Sequence, residues 1–363
     1  MENIQPTKVK IGLIGLGQRG TATLRRYACI PDAEIIALAD LSADALRQGQ
    51  ALLEQGGQHN IALFQGESQW RLLCQNTQID IVYICTDWGS HARMAVYAMQ
   101  QGKHVALEVP AAMTVQECWQ LVLTSRETGR YCTMLENCCY DTFHLGIMEM
   151  NRKGLFGEIS HCEGAYIHDL RTDQGWMSYT VRDHLGNPYP THGLGPVCQL
   201  MDIGSSDHLR SLVSMSAPGH INNTLIKTER GRTILLQFDE RTPRPYNRLQ
   251  TLCGTLGFAQ KYPLPTLQFD GQPPITGAEA EAKIESHWSS EMRQLITEGR
   301  HLGVENLMNY VMDRRLVHAL RHGIAPDITV CDAALWSCVT ELSALSASAG
   351  SKPIEIPDFT KNP

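Results

Sequence analysis

Apolar positions in the first 135 residues fall into short unbroken runs, separated by longer amphipathic stretches. Unbroken apolar runs are typical of strands buried on both faces, and amphipathic stretches are typical of helices. The runs predict six strands, at residues 9–15, 34–39, 61–64, 81–85, 103–107 and 131–135. The stretches predict helices at 20–28, after an N-cap at Ser42, at 90–101 and after an N-cap at Thr114. Strands that alternate with helices predict an α/β domain with a doubly wound parallel sheet.

The pattern changes after about residue 136. One helix is predicted at 142–153, and strands follow it at 159–167, 209–215, 224–227, 233–238 and 249–252. Successive strands with few helices predict an α+β domain with a mostly antiparallel sheet. A proline-rich loop is predicted at 263–274, and helices return at 289–298, 306–322 and 330–347. We therefore predict two domains, residues 1–136 and 137–363, with C-terminal helices that can pack back on the first domain.

Composition narrows the class of protein. A chain of 363 residues suits about two domains, and its net charge of −7 without a Lys/Arg block argues against a nucleic-acid partner. No apolar run approaches the roughly 18 residues of a membrane helix. The eight residues before the first strand are too few for a signal peptide. Twelve cysteines without a C-x-x-C pair predict reduced core thiols, no metal site and a cytoplasmic location.

A glycine motif occupies the first predicted strand-to-helix turn. Gly15, Gly17 and Gly20 form G-x-G-x-x-G, in which the first permits a tight turn, the second lets the backbone approach a pyrophosphate and the third allows close packing. The helix N-terminus then offers amides to the phosphates. Asp40 ends the second strand, where a carboxylate accepts ribose hydroxyls and repels a 2′-phosphate. The first domain is therefore predicted to be a Rossmann domain that binds NAD rather than NADP.

The segment 102–110, Gly-Lys-His-Val-Ala-Leu-Glu-Val-Pro, resembles the end of strand five in the glucose–fructose oxidoreductase and inositol dehydrogenase family (Gfo/Idh/MocA). Most members carry Glu-Lys-Pro there, with the lysine as an acid/base near the nicotinamide, whereas this chain has Val109. Glu-Val-Pro-Ala-Ala resembles one branch, the NAD-dependent α-N-acetylgalactosaminidases of glycoside hydrolase family 109. Further stretches resemble the same branch, at 86–88 with His91, 136–140, 164–166, 168–171, 189–196, 243–247 and 332–359.

The resemblance implies two sets of site residues. Those implied to line the NAD are Gln18, Arg19, Asp40, Trp88, His91, Glu108, Val109 and Asn137. Those implied to line the sugar are Tyr166, Arg182, Tyr189, Pro190, Thr191, His192 and Tyr246. Glu136 either orients Tyr166 or His192 or simply begins a helix. Relatives often dimerise through the exposed face of the second-domain sheet, which implies a homo-oligomer.

Two of the sugar residues are predicted to lie on an irregular loop. Tyr189 and His192 flank a proline and precede Gly193, a combination that favours a loop, and loops carry function more often than strands do. From spacing alone, these aromatic side chains can equally serve packing. The chain also departs from the branch, because residues 301–306 replace a loop of several glycines and the stretch after Tyr189 is shorter.

The resemblance implies a redox route to hydrolysis. Direct hydrolysis usually needs two facing carboxylates, and NAD-dependent glycosidases are an exception. NAD takes a hydride from C3, the C2 proton becomes acidic, the C1 group is eliminated, water adds and the hydride returns to C3. His192 would handle the C3 hydroxyl proton and Tyr166 the C2 proton, or the two roles are exchanged. The alternatives are a sugar or polyol dehydrogenase, against which the missing lysine argues, and a non-catalytic NAD-binding sensor.

Overall fold

The computed structural model describes residues 8–173, 185–218 and 221–363. The chain forms two compact units, each built from several segments. The first unit consists of Met1–Ala112, Gln116–Leu135 and Leu295–Ala333. The second unit consists of Met113–Val115, Glu136–Gln294 and Ala334–Pro363. In the part of the chain that is described, no helix has both the length and the apolar character needed to cross a bilayer.

The sheet of the first unit has six strands, all parallel. They are β1 (Val9–Ile14), β2 (Ala33–Asp40), β3 (Ala62–Gln65), β4 (Ile81–Ile84), β5 (His104–Leu107) and β6 (Cys132–Met134). Their order is β3-β2-β1-β4-β5-β6, so the chain reverses direction across the sheet between β1 and β4. Ligands of such sheets bind at the carboxyl ends of strands near this point. The predicted Rossmann sheet is confirmed.

Helices connect these strands. The helices of the first half are α1 (Gln18–Tyr27), α2 (Ala43–Gln55), α3 (Trp70–Gln75), α4 (Trp88–Gln100) and α5 (Val115–Thr128). The Ser42 cap of α2 is confirmed, since its hydroxyl accepts a hydrogen bond from the Ala45 amide at 3.2 Å. The short helix α3 was not predicted.

A buried polar network ties a C-terminal helix to this sheet. Asp313 lies on α10 (Leu307–His322) and accepts hydrogen bonds from Arg26 Nε at 2.9 Å and from the Tyr83 hydroxyl at 3.0 Å. Arg26 also donates to Thr23, and the hydroxyls of Tyr27 and Tyr83 are 2.5 Å apart. Because every member is buried, the ion pair and its hydrogen bonds replace water throughout the network.

The second unit is built on a nine-stranded sheet. Its strands are β7 (Ile159–Ile167), β8 (Leu209–Ser216), β9 (Asn222–Thr228), β10 (Thr233–Asp239), β11 (Asn247–Gly254), β12 (Gly257–Gln260), β13 (Thr266–Phe269), β14 (Ile275–Thr276) and β15 (Ile354–Glu355). Their order is β14-β13-β12-β11-β7-β10-β9-β8-β15, and every pair is antiparallel except β7 with β10. The predicted α+β fold with a mostly antiparallel sheet is confirmed.

Among the described residues, the second half of the chain also contains five α-helices besides α10. They are α6 (Thr142–Arg152), α7 (Thr191–Leu200), α8 (Ala278–Ser286), α9 (Ser290–His301) and α11 (Val330–Ser348). Part of the predicted loop at 263–274 is strand β13, because Leu267 is fully buried in the sheet despite the nearby prolines. Helix α8 was not predicted.

The prediction of an irregular loop around His192 is wrong, because helix α7 begins at Thr191. Gly193 serves close packing and not a turn. A Cβ added to Gly193 would lie 2.6 Å from the Ala165 amide nitrogen, and one added to Gly164 would lie 2.1 Å from the Gly193 carbonyl oxygen. The two glycines therefore let α7 lie directly against β7, which brings His192 beside the aromatic end of that strand.

Candidate active site

The glycine turn after β1 has the geometry of a phosphate-binding turn. Gly15 has a φ of 91°, and a Cβ there would lie 2.6 Å from the Cys85 carbonyl oxygen. A Cβ on Gly20 would lie 1.9 Å from the Gly15 carbonyl oxygen, so α1 approaches the strand closely. A Cβ on Gly17, by contrast, would meet nothing within 4 Å among the described residues. The backbone is therefore open to a ligand at the position where the motif places a pyrophosphate.

Helix α1 begins at this turn, and no side chain of its first turn competes with a ligand for the N-terminal amides. Its N-cap, Gly17, provides no side-chain hydrogen bond, and its first turn contains no acidic residue. The N-terminal amides and the positive end of the helix dipole thus remain suited to an anion. Gln18 and Arg19 are exposed on the same turn.

Asp40 is held rigidly at the carboxyl end of β2. Its Oδ2 accepts a hydrogen bond from the Leu16 amide at 2.6 Å, and its Oδ1 accepts one from the Ser42 amide at 2.7 Å. Each carboxylate oxygen has a second lone pair, so both can still accept ribose hydroxyls. Together with the open helix N-terminus, this donor and acceptor set fits a dinucleotide without a 2′-phosphate.

The other predicted cofactor residues of the first unit differ in accessibility. Glu108 follows β5, and its Oε2 lies 3.9 Å from Arg19 Nε. Trp88 begins α4 and Val109 follows Glu108; both side chains are buried. His91 is fully buried, with Nδ1 2.8 Å from the Pro110 carbonyl and Nε2 3.1 Å from the Thr86 carbonyl.

His91 therefore contacts backbone on both sides of its ring. Burial lowers its pKa, so the neutral ring donates to one carbonyl only. With no exposed surface, His91 can influence a cofactor only through the two segments that it joins.

In the second unit, His192 is the centre of a buried hydrogen-bonded chain. Its Nδ1 lies 2.7 Å from Glu136 Oε1, and its Nε2 lies 3.2 Å from the Tyr189 hydroxyl. Glu136 is completely buried and also accepts a hydrogen bond from the Cys138 amide at 3.1 Å. A carboxylate that fixes one ring nitrogen leaves the other directed at the reacting group, as in a hydrolase triad.

In this hydrogen-bonded chain, the charge states of His192 and Glu136 depend on each other. Burial opposes a positive charge on His192, but Cys138 and Glu136 together raise the pKa of the imidazole to about 10. Burial likewise opposes ionisation of Glu136, but His192 holds the pKa of that carboxyl below its usual value. The pair therefore favours an imidazolium facing a carboxylate.

Aromatic rings surround the imidazole. Tyr166, near the end of β7, has its ring centroid 5.5 Å from that of His192 and 4.9 Å from that of Tyr189, both in edge-on contacts. Its hydroxyl lies 3.1 Å from Nδ1 of His168. Tyr246 makes edge-on contacts with Tyr166 and His168 and is 43% exposed, so it lies at the outer side of the cluster.

The remaining predicted sugar and cofactor residues of this unit lie close by in the chain. Asn137 begins a buried 3₁₀ helix, Asn137–Tyr140, directly after Glu136. Pro190 is the N-cap of α7 and Thr191 is its first, fully buried residue. Arg182 lies outside the described residues.

Sequence reasoning did not assign roles to several members of the cluster. His168 directly follows β7 and is two residues after Tyr166, a spacing that suggests neighbours on one face if the chain stays extended. Cys138 contributes to the charge on His192. Arg248 is buried, interacts electrostatically with Tyr246 and donates to Asp141 at 2.7 Å, and Lys261 contacts the same carboxylate. These long-range pairings have no local sequence signal.

Comparison with known proteins covers both halves of the chain. Residues 9–135 match the family described as "Oxidoreductase family, NAD-binding Rossmann fold". Residues 140–220 and 217–363 match "Glycosyl hydrolase 109, C-terminal domain". Levoglucosan dehydrogenase in complex with NADH has the same fold, with a TM-score of 0.75 at 17% identity over 97% of this chain and 100% of its own.

Two relatives are much more similar in sequence. Glycosyl hydrolase family 109 protein 2 of Phocaeicola vulgatus is 46% identical over 97% of this chain and 95% of its own. An alpha-N-acetylgalactosaminidase of Bacteroides fragilis is 45% identical over 97% of this chain and 92% of its own. The protein is an NAD-dependent enzyme with an NAD-binding Rossmann domain, and its chain belongs to glycosyl hydrolase family 109.

Proposed function

We propose that this enzyme cleaves α-N-acetylgalactosaminides or related glycosides through transient oxidation at C3 of the sugar. The observation that carries the proposal is the buried chain Glu136–His192–Tyr189, packed edge-on against the Tyr166–His168 pair. A protein that is 45% identical over nearly the whole chain is named alpha-N-acetylgalactosaminidase, which supports this substrate class.

NAD, when bound, supplies a reversible hydride acceptor for C3. Loss of hydride and hydroxyl proton turns C3 into a ketone, which makes the neighbouring C2 proton acidic. Loss of that proton expels the leaving group from C1, water then adds at C1 while C2 is reprotonated, and C3 regains its hydride and proton. Atoms and electrons balance as a hydrolysis, so no external oxidant is consumed.

His192 is proposed to exchange the proton of the C3 hydroxyl. Since the resting pair favours the imidazolium, His192 must first release its proton to act as a base. Glu136 fixes the ring and neutralises the imidazolium that re-forms when the imidazole takes the C3 hydroxyl proton. The same imidazolium can then donate a hydrogen bond to the C3 oxygen, on which negative charge accumulates when C2 is deprotonated. Stabilising that charge with a fixed donor is worth a large share of the barrier.

Tyr166 is proposed to remove the C2 proton. A phenol is a poor base near neutral pH unless its own proton has an acceptor. His168 offers one, because burial lowers its pKa and its Nδ1 lies 3.1 Å from the Tyr166 hydroxyl. This chain has the buried Val109 where most Gfo/Idh/MocA members carry lysine, so His192 and Tyr166 are proposed to replace that lysine as proton carriers.

The remaining aromatic residues are proposed to hold the sugar. Tyr189 and Tyr246 flank Tyr166 and present one buried and one half-exposed ring to a pyranose. Thr191 is fully buried and its hydroxyl interacts with the Glu136 carboxylate, so its proposed sugar role comes from the family resemblance. Arg182 keeps its proposed sugar role from the family resemblance alone.

The proposal predicts release of nitrophenol from a nitrophenyl α-N-acetylgalactosaminide by the purified enzyme without added cofactor. In D₂O the recovered sugar should carry deuterium at C2, because that position exchanges its proton in every turnover. A panel of nitrophenyl glycosides scored for phenol and NADH together separates the alternatives. Net NADH formation from free sugars without phenol release would instead indicate a sugar dehydrogenase, and an unlabelled C2 would exclude the elimination step.

Asp40 provides a separate test of the cofactor site. We expect Asp40→Ala to weaken NAD binding by about 10- to 100-fold, since two ribose hydrogen bonds to a charged acceptor are lost. NADP binding should fall less or improve, because the carboxylate no longer repels a 2′-phosphate. Fluorescence titration with both dinucleotides measures the ratio. Asp44→Ala, at an exposed position of α2, is the matched control. An unchanged NAD/NADP ratio in Asp40→Ala would contradict the assignment.

The state of the cysteines supports a proposed cytoplasmic location. All twelve are free thiols and nine are buried. Free thiols are typical of proteins kept in a reducing compartment. The expected homo-oligomer through the second sheet stays a prediction.

A further inference from the structure

Three side chains in the second unit form a compact group of metal-ligand types. Glu136, Cys138 and His192 each offer one ligand atom, and these atoms all lie within 4.8 Å of one another. All three residues are buried, and the described part of the chain contains no second group of this kind. A thiolate, an imidazole and a carboxylate are the ligands that Zn²⁺ takes in proteins.

The two elements that carry these residues are firmly placed. Glu136 and Cys138 bracket Asn137 at the start of the 3₁₀ helix, and the Glu136 carboxylate caps that helix through the Cys138 amide. His192 lies in the first turn of α7, which the glycine contact holds against β7. Such fixed ligands lose little freedom when an ion binds.

A second observation points to a missing cation. Glu136 Oε2 is buried and makes no hydrogen bond of ordinary geometry among the described residues, although the Thr191 hydroxyl is near enough to lower the pKa of the carboxyl. A buried carboxylate oxygen in such a setting is costly. The Arg248 guanidinium acts electrostatically on Cys138 from nearby, and its own charge is paired with Asp141.

We propose that Glu136, Cys138 and His192 form a binding site for a thiophilic divalent cation such as Zn²⁺, and that this ion inhibits the enzyme. Zinc bonds of about 2.0–2.3 Å place ligand atoms roughly 3.3–3.8 Å apart, so shifts of about 1 Å close the group around an ion. The ion takes the place of the proton shared by Glu136 and His192, and the thiol proton leaves to solvent. Water completes the coordination, as in zinc sites with three protein ligands.

The ion inhibits the enzyme because His192, once its imidazole is bound to the metal, no longer takes up and releases the proton of the sugar hydroxyl. This consequence rests on the proposed function, whereas the binding itself does not. The binding and the activity are therefore measured separately on the NAD-loaded enzyme in a buffer free of thiols and chelators.

The test titrates ZnCl₂ against a chromophoric chelator and counts bound ions per chain. We expect one ion per chain with micromolar affinity, and at least about tenfold weaker binding in Cys138→Ser, which replaces a soft ligand by a hard one. Glu136→Gln should also weaken binding. Cys139→Ser, a buried thiol on the same turn, is the matched control and should bind like the unmodified protein. Melting temperature and NAD binding establish that each variant is folded.

Each outcome bears on one proposal at a time. Equal zinc affinity in the unmodified protein, Cys138→Ser and Glu136→Gln would overturn the metal site even if the enzyme cleaves glycosides. Binding that depends on Cys138 and Glu136, in a protein without glycosidase activity, would support the metal site and remove the proposed function. If both hold, zinc should lower kcat at least tenfold in the unmodified enzyme and in Cys139→Ser, and a chelator should restore it.

Discussion

Replacing His192 by alanine is expected to lower kcat for glycoside cleavage by about a thousandfold, within the usual range for losing a general acid/base. The side chain is buried against Tyr166 and Tyr189, and its Nδ1 is fixed by Glu136. Alanine removes both the proton carrier and the donor that stabilises charge on the C3 oxygen. KM should change far less, because neighbouring tyrosines still hold the sugar. Steady-state kinetics with a nitrophenyl glycoside measures both quantities.

A matched variant separates chemistry from packing. His144 is also a buried histidine of the second unit, but its Nε2 lies 2.9 Å from Gln199 Oε1, so it is not part of the Glu136–His192–Tyr189 hydrogen-bonded chain. His144→Gln should therefore retain most activity, although it replaces a buried imidazole. NAD content, measured by absorbance after release, should be unchanged in both variants. A His192→Ala enzyme that keeps more than a tenth of the original kcat would show that proton transfer at C3 uses another residue.

Glu136→Gln is expected to lower kcat in the same assay, but by less than His192→Ala does. Glutamine can keep the hydrogen bond to His192 but not the charge that balances an imidazolium. We expect a loss of about 10- to 100-fold in kcat, smaller than for His192→Ala. A loss in Glu136→Gln equal to that in His192→Ala would mean that the charge pair, and not the imidazole alone, carries the step.

The Rossmann half could be predicted from local pattern because each strand is marked by its own residues. The run Ile81–Ile84 is entirely buried, and no charged residue interrupts it. The glycine motif and Asp40 also lie at sequence-local positions whose geometry follows from the strand-to-helix turn. Predicted and observed strand ends differ by at most one residue, within the usual uncertainty of element boundaries.

There is a physical reason why the start of α7 could not be predicted. Gly193, Gly195 and Pro196 favour a loop when they are considered alone. Their actual use depends on Gly164, which lies on another element and has no side chain to separate it from the helix. A glycine that serves contact looks the same in sequence as a glycine that serves a turn.

The chemistry of the cluster was only partly predictable. Tyr166, Tyr189 and His192 came from a resemblance, and the structure brings them into mutual contact. The sequence left open whether Glu136 contacts Tyr166 or His192, residues at a distance in the chain, and the hydrogen bond to His192 decides it. Such pairings depend on how α7 lies on the sheet, which no local pattern encodes.

The pairing of Asp313 with Arg26 is likewise a long-range contact that no local pattern encodes. Removing the Asp313 carboxylate is expected to have the largest effect on stability. Asp313→Ala should lower the free energy of unfolding by about 3–5 kcal/mol, because it leaves the buried Arg26 guanidinium without its partner. The Tyr83 hydroxyl also loses its acceptor. Burial raises the pKa of Asp313 against the effect of Arg26, so the carboxylate is already costly and depends on both donors. The melting temperature should fall by about 10 °C.

The control is a surface ion pair between an arginine of the same helix and a carboxylate beyond its end. Arg315 of α10 pairs with Asp327, and both side chains are partly exposed. Asp327→Ala should cost less than about 1 kcal/mol, since solvent screens the pair and replaces its hydrogen bonds. The comparison isolates burial, because both variants remove one carboxylate that pairs with an arginine. Equal shifts in melting temperature for Asp313→Ala and Asp327→Ala would mean that water reaches Arg26 once its partner is gone. In that case apolar packing, and not the buried polar network, would be the main interaction that stabilises α10 on the sheet.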